Sequence, residues 1–173
     1  MKYFTRSAVV LVILIGAFFL FLYSGFYNIA ATSPHNSLTL WMINTLKDNS
    51  IEHHSNGINV PNLNDTSMVK IGFAHYREMC VGCHAGPGLT RSEIGQGLYP
   101  KAPILARSAK ELPPAQLFWI TKNGIKMTGM PAFGKTHSDE KIWAIVSFLE
   151  KLPGMTNAQY NQLNKSIKED DDD

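Results

Sequence analysis

Hydrophobic residues in this chain form one long block near the N-terminus, followed by short periodic stripes. The block runs from Ala8 to Tyr23, with Lys2 and Arg6 before it, and no charged residue occurs from Ser7 to Leu46. A spanning helix needs about 20 mostly apolar residues, whereas a secretory signal has an apolar centre of about 7–15. Residues 1–31 are therefore predicted to be a transmembrane anchor, with a cleaved export signal as the alternative.

Charged and aromatic residues give this anchor a direction. Lys2 and Arg6 are expected to stay in the cytoplasm by the positive-inside rule. The aromatic cluster of Tyr23, Phe26 and Tyr27 suits the outer membrane–water interface. The rest of the chain is then expected on the periplasmic side of a bacterial inner membrane, or soluble in the periplasm if the segment is cleaved.

Downstream of the block, apolar residues recur every three or four positions, which is the spacing of one helix face. No strand pattern and no internal repeat stands out, so the fold class is predicted to be all-α. The expected helices cover Leu38–Asn49, Met68 to about Cys80, Leu112–Asn123, Ser138 to about Leu152, and a short Asn157–Ile167. The expected loops cover Ile51–Asp65, residues 85–112 and Ile125–His137.

Gly72 lies in the stripe that begins at Met68. A glycine inside a helix costs about 1 kcal/mol relative to alanine, and close packing against another helix is the usual reason for one. We divide the chain into an anchor (1–31), a linker with an extension (32–66), a globular domain (67–153) and a C-terminal extension (154–173).

The net charge of +2 conceals an uneven distribution. Glu169–Asp173 places five acidic residues at the C-terminus, which we expect to be solvated and disordered. No basic run interleaved with aromatic residues indicates nucleic-acid binding. Nothing in the pattern points to a small-molecule substrate either.

Both cysteines of the chain lie in the stretch Cys80-Val81-Gly82-Cys83-His84. The pattern C-x-x-C-H is typical of a c-type haem attachment site. On a helical turn, thiols at i and i+3 share one side and can reach the two haem vinyl groups, and the histidine follows as an iron ligand. A zinc site needs four ligands, and no second cysteine pair is present. A thioredoxin-like pair or a short structural disulfide remains as an alternative.

Haem iron held by one histidine needs a sixth ligand or has an open site. Met130, in the loop Gly129–Gly134, offers a soft thioether, and Met/His ligation is typical of electron transfer. Met127 competes with Met130 for this position. His53, His54, His75 and His137 are weaker candidates, each more typical of a surface or hydrogen-bonded histidine.

A ligating histidine commonly donates its second ring N–H to a fixed carbonyl. The Pro103 carbonyl is the best candidate acceptor for His84, and Leu105 is expected to pack against the haem. Phe118 and Trp143 are interpreted as apolar core or wall residues rather than as an electron path, because large aromatic side chains bury much area each.

Taken together, Gly72-x-x-x-Tyr76-x-x-x-Cys80-x-x-Cys83-His84, Pro103-x-Leu105, Gly129–Gly134 and the last helix near Trp143 and Phe148 resemble a class I c-type cytochrome of the kind found in cbb3-type oxidase subunits. The resemblance covers about residues 67–153. It implies a small cytochrome c fold of three to five helices around one covalent haem c. It also implies that Cys80 and Cys83 are the thioether sites, His84 the proximal ligand and Met130 the distal ligand.

The function expected from these features is one-electron transfer by a membrane-anchored monohaem cytochrome c in a bacterial respiratory chain, without enzymatic activity of its own. Its partners would be redox proteins, a donor and an acceptor. One alternative is an electron-transfer subunit permanently bound to a dehydrogenase or terminal oxidase. A more distant one is an open-site haem peroxidase or sensor.

Overall fold

The computed structural model describes residues 2–171, with side chains described for residues 3–167. Asp172 and Asp173 of the predicted acidic tail lie outside this range, whereas residues 169–171 belong to the last helix, so the expectation of disorder is wrong for these three. The described residues form helices joined by loops and contain no β-strand, so the all-α prediction is confirmed. It divides into two units, residues 1–34 and 35–173, which are treated separately below.

The first unit is one long helix followed by an irregular segment. Helix α1 runs from Lys2 to Tyr23, and every side chain described in it is exposed. Its length and composition are sufficient to cross a membrane, as a signal sequence near an N-terminus would also be. Thus, the apolar block is a helix, as its length predicts.

The second unit is built from eight α-helices within the described residues. They are α2 (Ser37–Ser55), α3 (Thr66–His75), α4 (Val81–His84), α5 (Glu93–Gly97), α6 (Leu105–Ser108), α7 (Pro114–Asn123), α8 (Asp139–Lys151) and α9 (Asn157–Asp171). A π-helical turn, Tyr76–Cys80, joins α3 to α4, and 3₁₀ turns cover Ala109–Glu111 and Phe133–Lys135.

Two predicted loops contain more helix than their composition suggests. Ile51–Ser55 was expected to begin a loop, but it forms the end of α2. Ile51 and Ser55 are buried there, so burial against the domain extends the helix beyond its apolar stripe. The glycine- and proline-rich stretch 85–112 likewise holds the short helices α5 and α6.

The core forms where α3 crosses α8. Phe73 of α3 is fully buried against Phe148 of α8, with ring centroids 5.3 Å apart. Tyr160 of α9 packs on the other side of Phe73 at 5.0 Å. Tyr160 and Ile167 both belong to the buried cluster, so the C-terminal segment completes this core.

Gly72 permits the close crossing of α3 and α8. A Cβ built on Gly72 would overlap the backbone carbonyl of Ala144 in α8. The packing explanation for a glycine at this helical position is therefore the correct one.

We expect Gly72→Ala to destabilise the domain by about 1–3 kcal/mol, because the helices must separate to admit one methyl group. Gly97→Ala is the matched control, since a Cβ there meets no atom within 4 Å. Chemical denaturation of both variants measures the difference. Equal stabilities would show that α3 and α8 do not cross as closely as described.

Candidate functional site

The motif Cys80–His84 begins in a π-helical turn and ends in α4. Asp65 caps the N-terminus of α3, its side chain accepting from the Ser67 amide at 2.9 Å. The helix therefore begins at Thr66, two residues before the predicted Met68, and its hydrogen-bond register changes at Tyr76. π-Helical turns are rare and occur frequently at functional sites.

Two features end the motif directly after His84. Ala85 has a φ of 59°, which is incompatible with continuing the helix. The buried Tyr76 hydroxyl donates to the Ala85 carbonyl at 2.5 Å, tying the start of the π turn to the end of the motif. The five motif residues thus lie between Tyr76 and Ala85, which are joined by this hydrogen bond.

His84 is buried, and the carbonyl of Pro103 lies 2.9 Å from its Nδ1 atom. Because a carbonyl oxygen can only accept, this contact requires the proton on Nδ1 and leaves the Nε2 lone pair available to a metal. Burial lowers the pKa of His84. The hydrogen bond to Pro103 raises this pKa, and the charge of Arg91 lowers it further. The imidazole is therefore kept in the neutral form that binds iron.

Cys80 and Cys83 are free thiols in this structure. Burial raises the pKa of Cys80 to about 12, with a smaller contribution from Cys83. A redox-active pair of the thioredoxin kind needs a lowered thiol pKa and an accessible thiolate. The environment of Cys80 is the opposite, which disfavours the thiol-oxidoreductase alternative.

Sequence reasoning missed Arg91. Its Nε donates to the Cys83 carbonyl at 3.1 Å, and its Nη2 donates to the Ala102 carbonyl at 2.5 Å. One guanidinium thus joins the motif to the segment that carries Pro103. No local pattern marks a single arginine in a polar loop, so only the folded chain reveals this role.

Pro103 is exposed and directly precedes the turn that leads into α6. Leu105 is half-buried and packs against the core cluster. Phe118 and Trp143 stack face to face, with centroids 4.1 Å apart and planes at 15°. Phe118 is buried within the core cluster, in agreement with the packing interpretation.

The methionine loop is closed by its own hydrogen bonds. The Ile125 amide donates to the Met130 carbonyl at 3.3 Å, and the Met130 amide donates to the Thr128 hydroxyl at 3.1 Å. Met130 is half-buried, whereas Met127 has a φ of 58° and is 99% exposed. These bonds fix the loop itself and do not connect Met130 to His84.

Gly124 and Gly129 allow the neighbouring chain to approach this loop. Gly124 has a φ of +66°, and a Cβ on it would lie 2.7 Å from the Met130 carbonyl oxygen. A Cβ on Gly129 would lie 2.6 Å from a methyl carbon of Leu98. A larger residue at position 124 or 129 would therefore collide with neighbouring atoms unless the loop moved.

The other histidines pack against one another or against aromatic rings. His75 and His137 lie edge to face at 5.3 Å, and His54 packs near Trp119 at 5.6 Å. His53 is exposed beside His54. Among the described residues, no group of three or more His, Cys, Asp or Glu side chains is placed to hold a metal ion.

The chemistry of the motif fits haem c. Two free thiols are spaced for two vinyl groups, and a neutral imidazole with a free Nε2 follows them. An all-helical fold with such a motif is consistent with a c-type cytochrome. Residues 67–149 match the family described as cytochrome c oxidase, cbb3-type, subunit III, and the chain carries a haem c-binding domain of this family. None of the curated proteins compared with the chain matches it.

We expect Arg91→Gln to destabilise the haem-loaded protein by about 1.5–3 kcal/mol, because two carbonyls lose a charged donor. Arg107→Gln is the control, since Arg107 is exposed on α6. Denaturation measures stability, and the NMR shifts of the His84 ring report its orientation. Identical stabilities and ring shifts for the two variants would contradict a bridging role for Arg91.

The His75–His137 pair predicts a pH dependence of stability. Burial lowers the pKa of His75 below 6.5, and His137 and Lys141 lower it further, against Glu78. As the pH falls below 6.5, His75 is therefore protonated more readily in the unfolded chain than in the folded one. The free energy of unfolding decreases over this pH range as a result. We expect His75→Gln to flatten the decline in stability between pH 7 and about pH 5. His53→Gln serves as the control, and a decline as steep in His75→Gln as in the parent would refute the assignment.

Proposed function

We propose that this protein is a membrane-anchored monohaem cytochrome c that passes single electrons between redox partner proteins of a bacterial respiratory chain. The observation that carries the proposal is the motif Cys80–His84, with its free thiols and the His84 contact to Pro103. When bound, haem c supplies an iron that alternates between the ferric and ferrous states. The family match supports electron transfer as the general role.

Each motif residue has a separate task in this proposal. Cys80 and Cys83 would hold haem c covalently through two thioether bonds. His84 offers Nε2 to the iron as the proximal ligand. Pro103 holds the ring in orientation through Nδ1, and Leu105 contributes to the apolar wall.

Met130 is proposed as the distal ligand. The half-burial of Met130 and the full exposure of Met127 favour this choice. A thioether and an imidazole together leave no open coordination position, which suits electron transfer and disfavours peroxidase or gas-sensor chemistry. Methionine ligation also raises the reduction potential.

The anchor in this proposal is α1, which remains attached to the mature chain. Its exposed apolar surface is long enough to span the membrane. Lys2 and Arg6 precede that surface and favour a cytoplasmic N-terminus by the positive-inside rule. The haem domain then lies on the periplasmic side, where redox partners reach it.

A permanent place in an oxidase complex is the second candidate, favoured by a family description that names an oxidase subunit. Purification in mild detergent separates the two cases. A monomeric haem protein supports the shuttle, whereas stoichiometric co-purification with oxidase subunits supports the complex.

Met130→Ala tests the distal ligand. We expect loss of the weak red absorption band of methionine-ligated ferric haem, a lower reduction potential and rapid carbon monoxide binding by the ferrous protein. Met127→Ala is the matched control and should leave all three unchanged. A red band that survives in Met130→Ala and disappears in Met127→Ala would reverse the assignment. Absence of covalent haem in a pyridine haemochrome spectrum of the parent protein would overturn the whole proposal.

A further inference from the structure

Helix α2 presents an apolar face that the domain does not cover. Leu38, Trp41, Met42 and Leu46 are 57–72% exposed. Their spacing of three, four and eight positions places them on one face of the helix. Apolar residues with this spacing usually pack against a protein core. Here the domain leaves them exposed.

The same helix is attached to the domain at both ends. At its C-terminal end, Ile51 and Ser55 are buried and His54 packs near Trp119 of α7. Just before its N-terminal end, the His35 amide donates to the Tyr99 hydroxyl at 2.8 Å. The apolar face therefore has a fixed orientation on the domain.

We propose that this face of α2 lies on the lipid surface of the membrane in which α1 is embedded. The inference rests on the proposed function, because it requires α1 to remain as the anchor. The occupant is the interfacial region of the outer leaflet, and α2 lies parallel to it. The cytochrome domain is thereby held at one orientation to the membrane instead of rotating freely on its linker.

Chain connectivity supports a lipid occupant. Residues 24–36 join α1 to α2, and thirteen residues reach at most about 45 Å when fully extended. The face is thus confined near the bilayer at a high effective concentration, so even weak interfacial affinity is sufficient. A free partner protein would have no such advantage.

The composition of the face supports the same occupant. No charged residue occurs before Lys47 in α2, so the first turns enter an apolar environment without desolvating a charge. Trp41 lies within the face, and tryptophan favours the membrane–water interface. Ile43 borders the face and is also exposed, at 47%, whereas Leu40 lies on the opposite side of the helix. This apolar surface is broader than the narrow seam of a helix pair.

The test uses the full-length, haem-loaded protein in vesicles of phosphatidylethanolamine and phosphatidylglycerol and in native membranes. Trp41→benzoylphenylalanine places a photoreactive group on the face, and Asn44→benzoylphenylalanine places one off it on the same turns of α2. We expect a several-fold excess of lipid adduct from position 41. Equal lipid labelling at 41 and 44, or adducts at 41 only to a second copy or another protein, overturns the inference.

A measurement of membrane association separates failure of the proposed α1 anchor from failure of the proposed contact between α2 and lipid. If alkaline carbonate extraction releases the parent protein, α1 is not a membrane anchor, and both the proposed membrane attachment and the inference about α2 are overturned. A parent protein that stays in the membrane but gives no lipid adduct at position 41 overturns only the inference about α2. The triple substitution Leu38→Ser, Trp41→Ser, Leu46→Ser should keep the protein in the membrane through α1 while raising hydrogen exchange of the α2 amides several-fold relative to the parent.

Discussion

The close contact of α3 with the Ala144 carbonyl is the constraint on which the rest of the domain depends. Only a residue without a side chain allows the two helices to meet at Gly72. Their contact buries Phe73 and Phe148 together and fixes the direction in which the chain leaves α3. The π turn, the motif and Ala85 follow directly from that exit. A change in the crossing would therefore move Cys80, Cys83 and His84, which follow α3 directly.

Much of this arrangement could be predicted from local chemistry. A capping aspartate, a helical stripe and a C-x-x-C-H motif each depend on neighbours within a few positions, so the sequence displays them directly. The hydrogen-bond change at Tyr76 and the double contact of Arg91 could not be predicted. Arg91 contacts residues 8 and 11 positions away, across loops that follow no helical or strand periodicity. No pattern of residue types marks the register change at Tyr76. The same limit explains Ile51–Ser55, whose helical form comes from burial rather than from composition.

The buried environment of the motif has a chemical logic. Burial raises the pKa of Cys80 and lowers the pKa of His84, so both side chains are kept uncharged. An uncharged thiol does not act as a thiolate nucleophile toward disulfides, and an uncharged imidazole can donate its lone pair to a metal. The same apolar environment thus suppresses thiol–disulfide exchange and permits metal binding by the imidazole.

The position of α9 has a consequence for biogenesis. Tyr160 lies against Phe73 and Gly86, so the last helix covers residues on both sides of the motif. Cys80 retains only 8% of its exposure once this core has closed. Because α9 follows the motif in the chain, Cys80 is enclosed to this degree only after α9 has packed against α3. The proposed attachment of haem to Cys80 therefore has its widest access before α9 docks on the core.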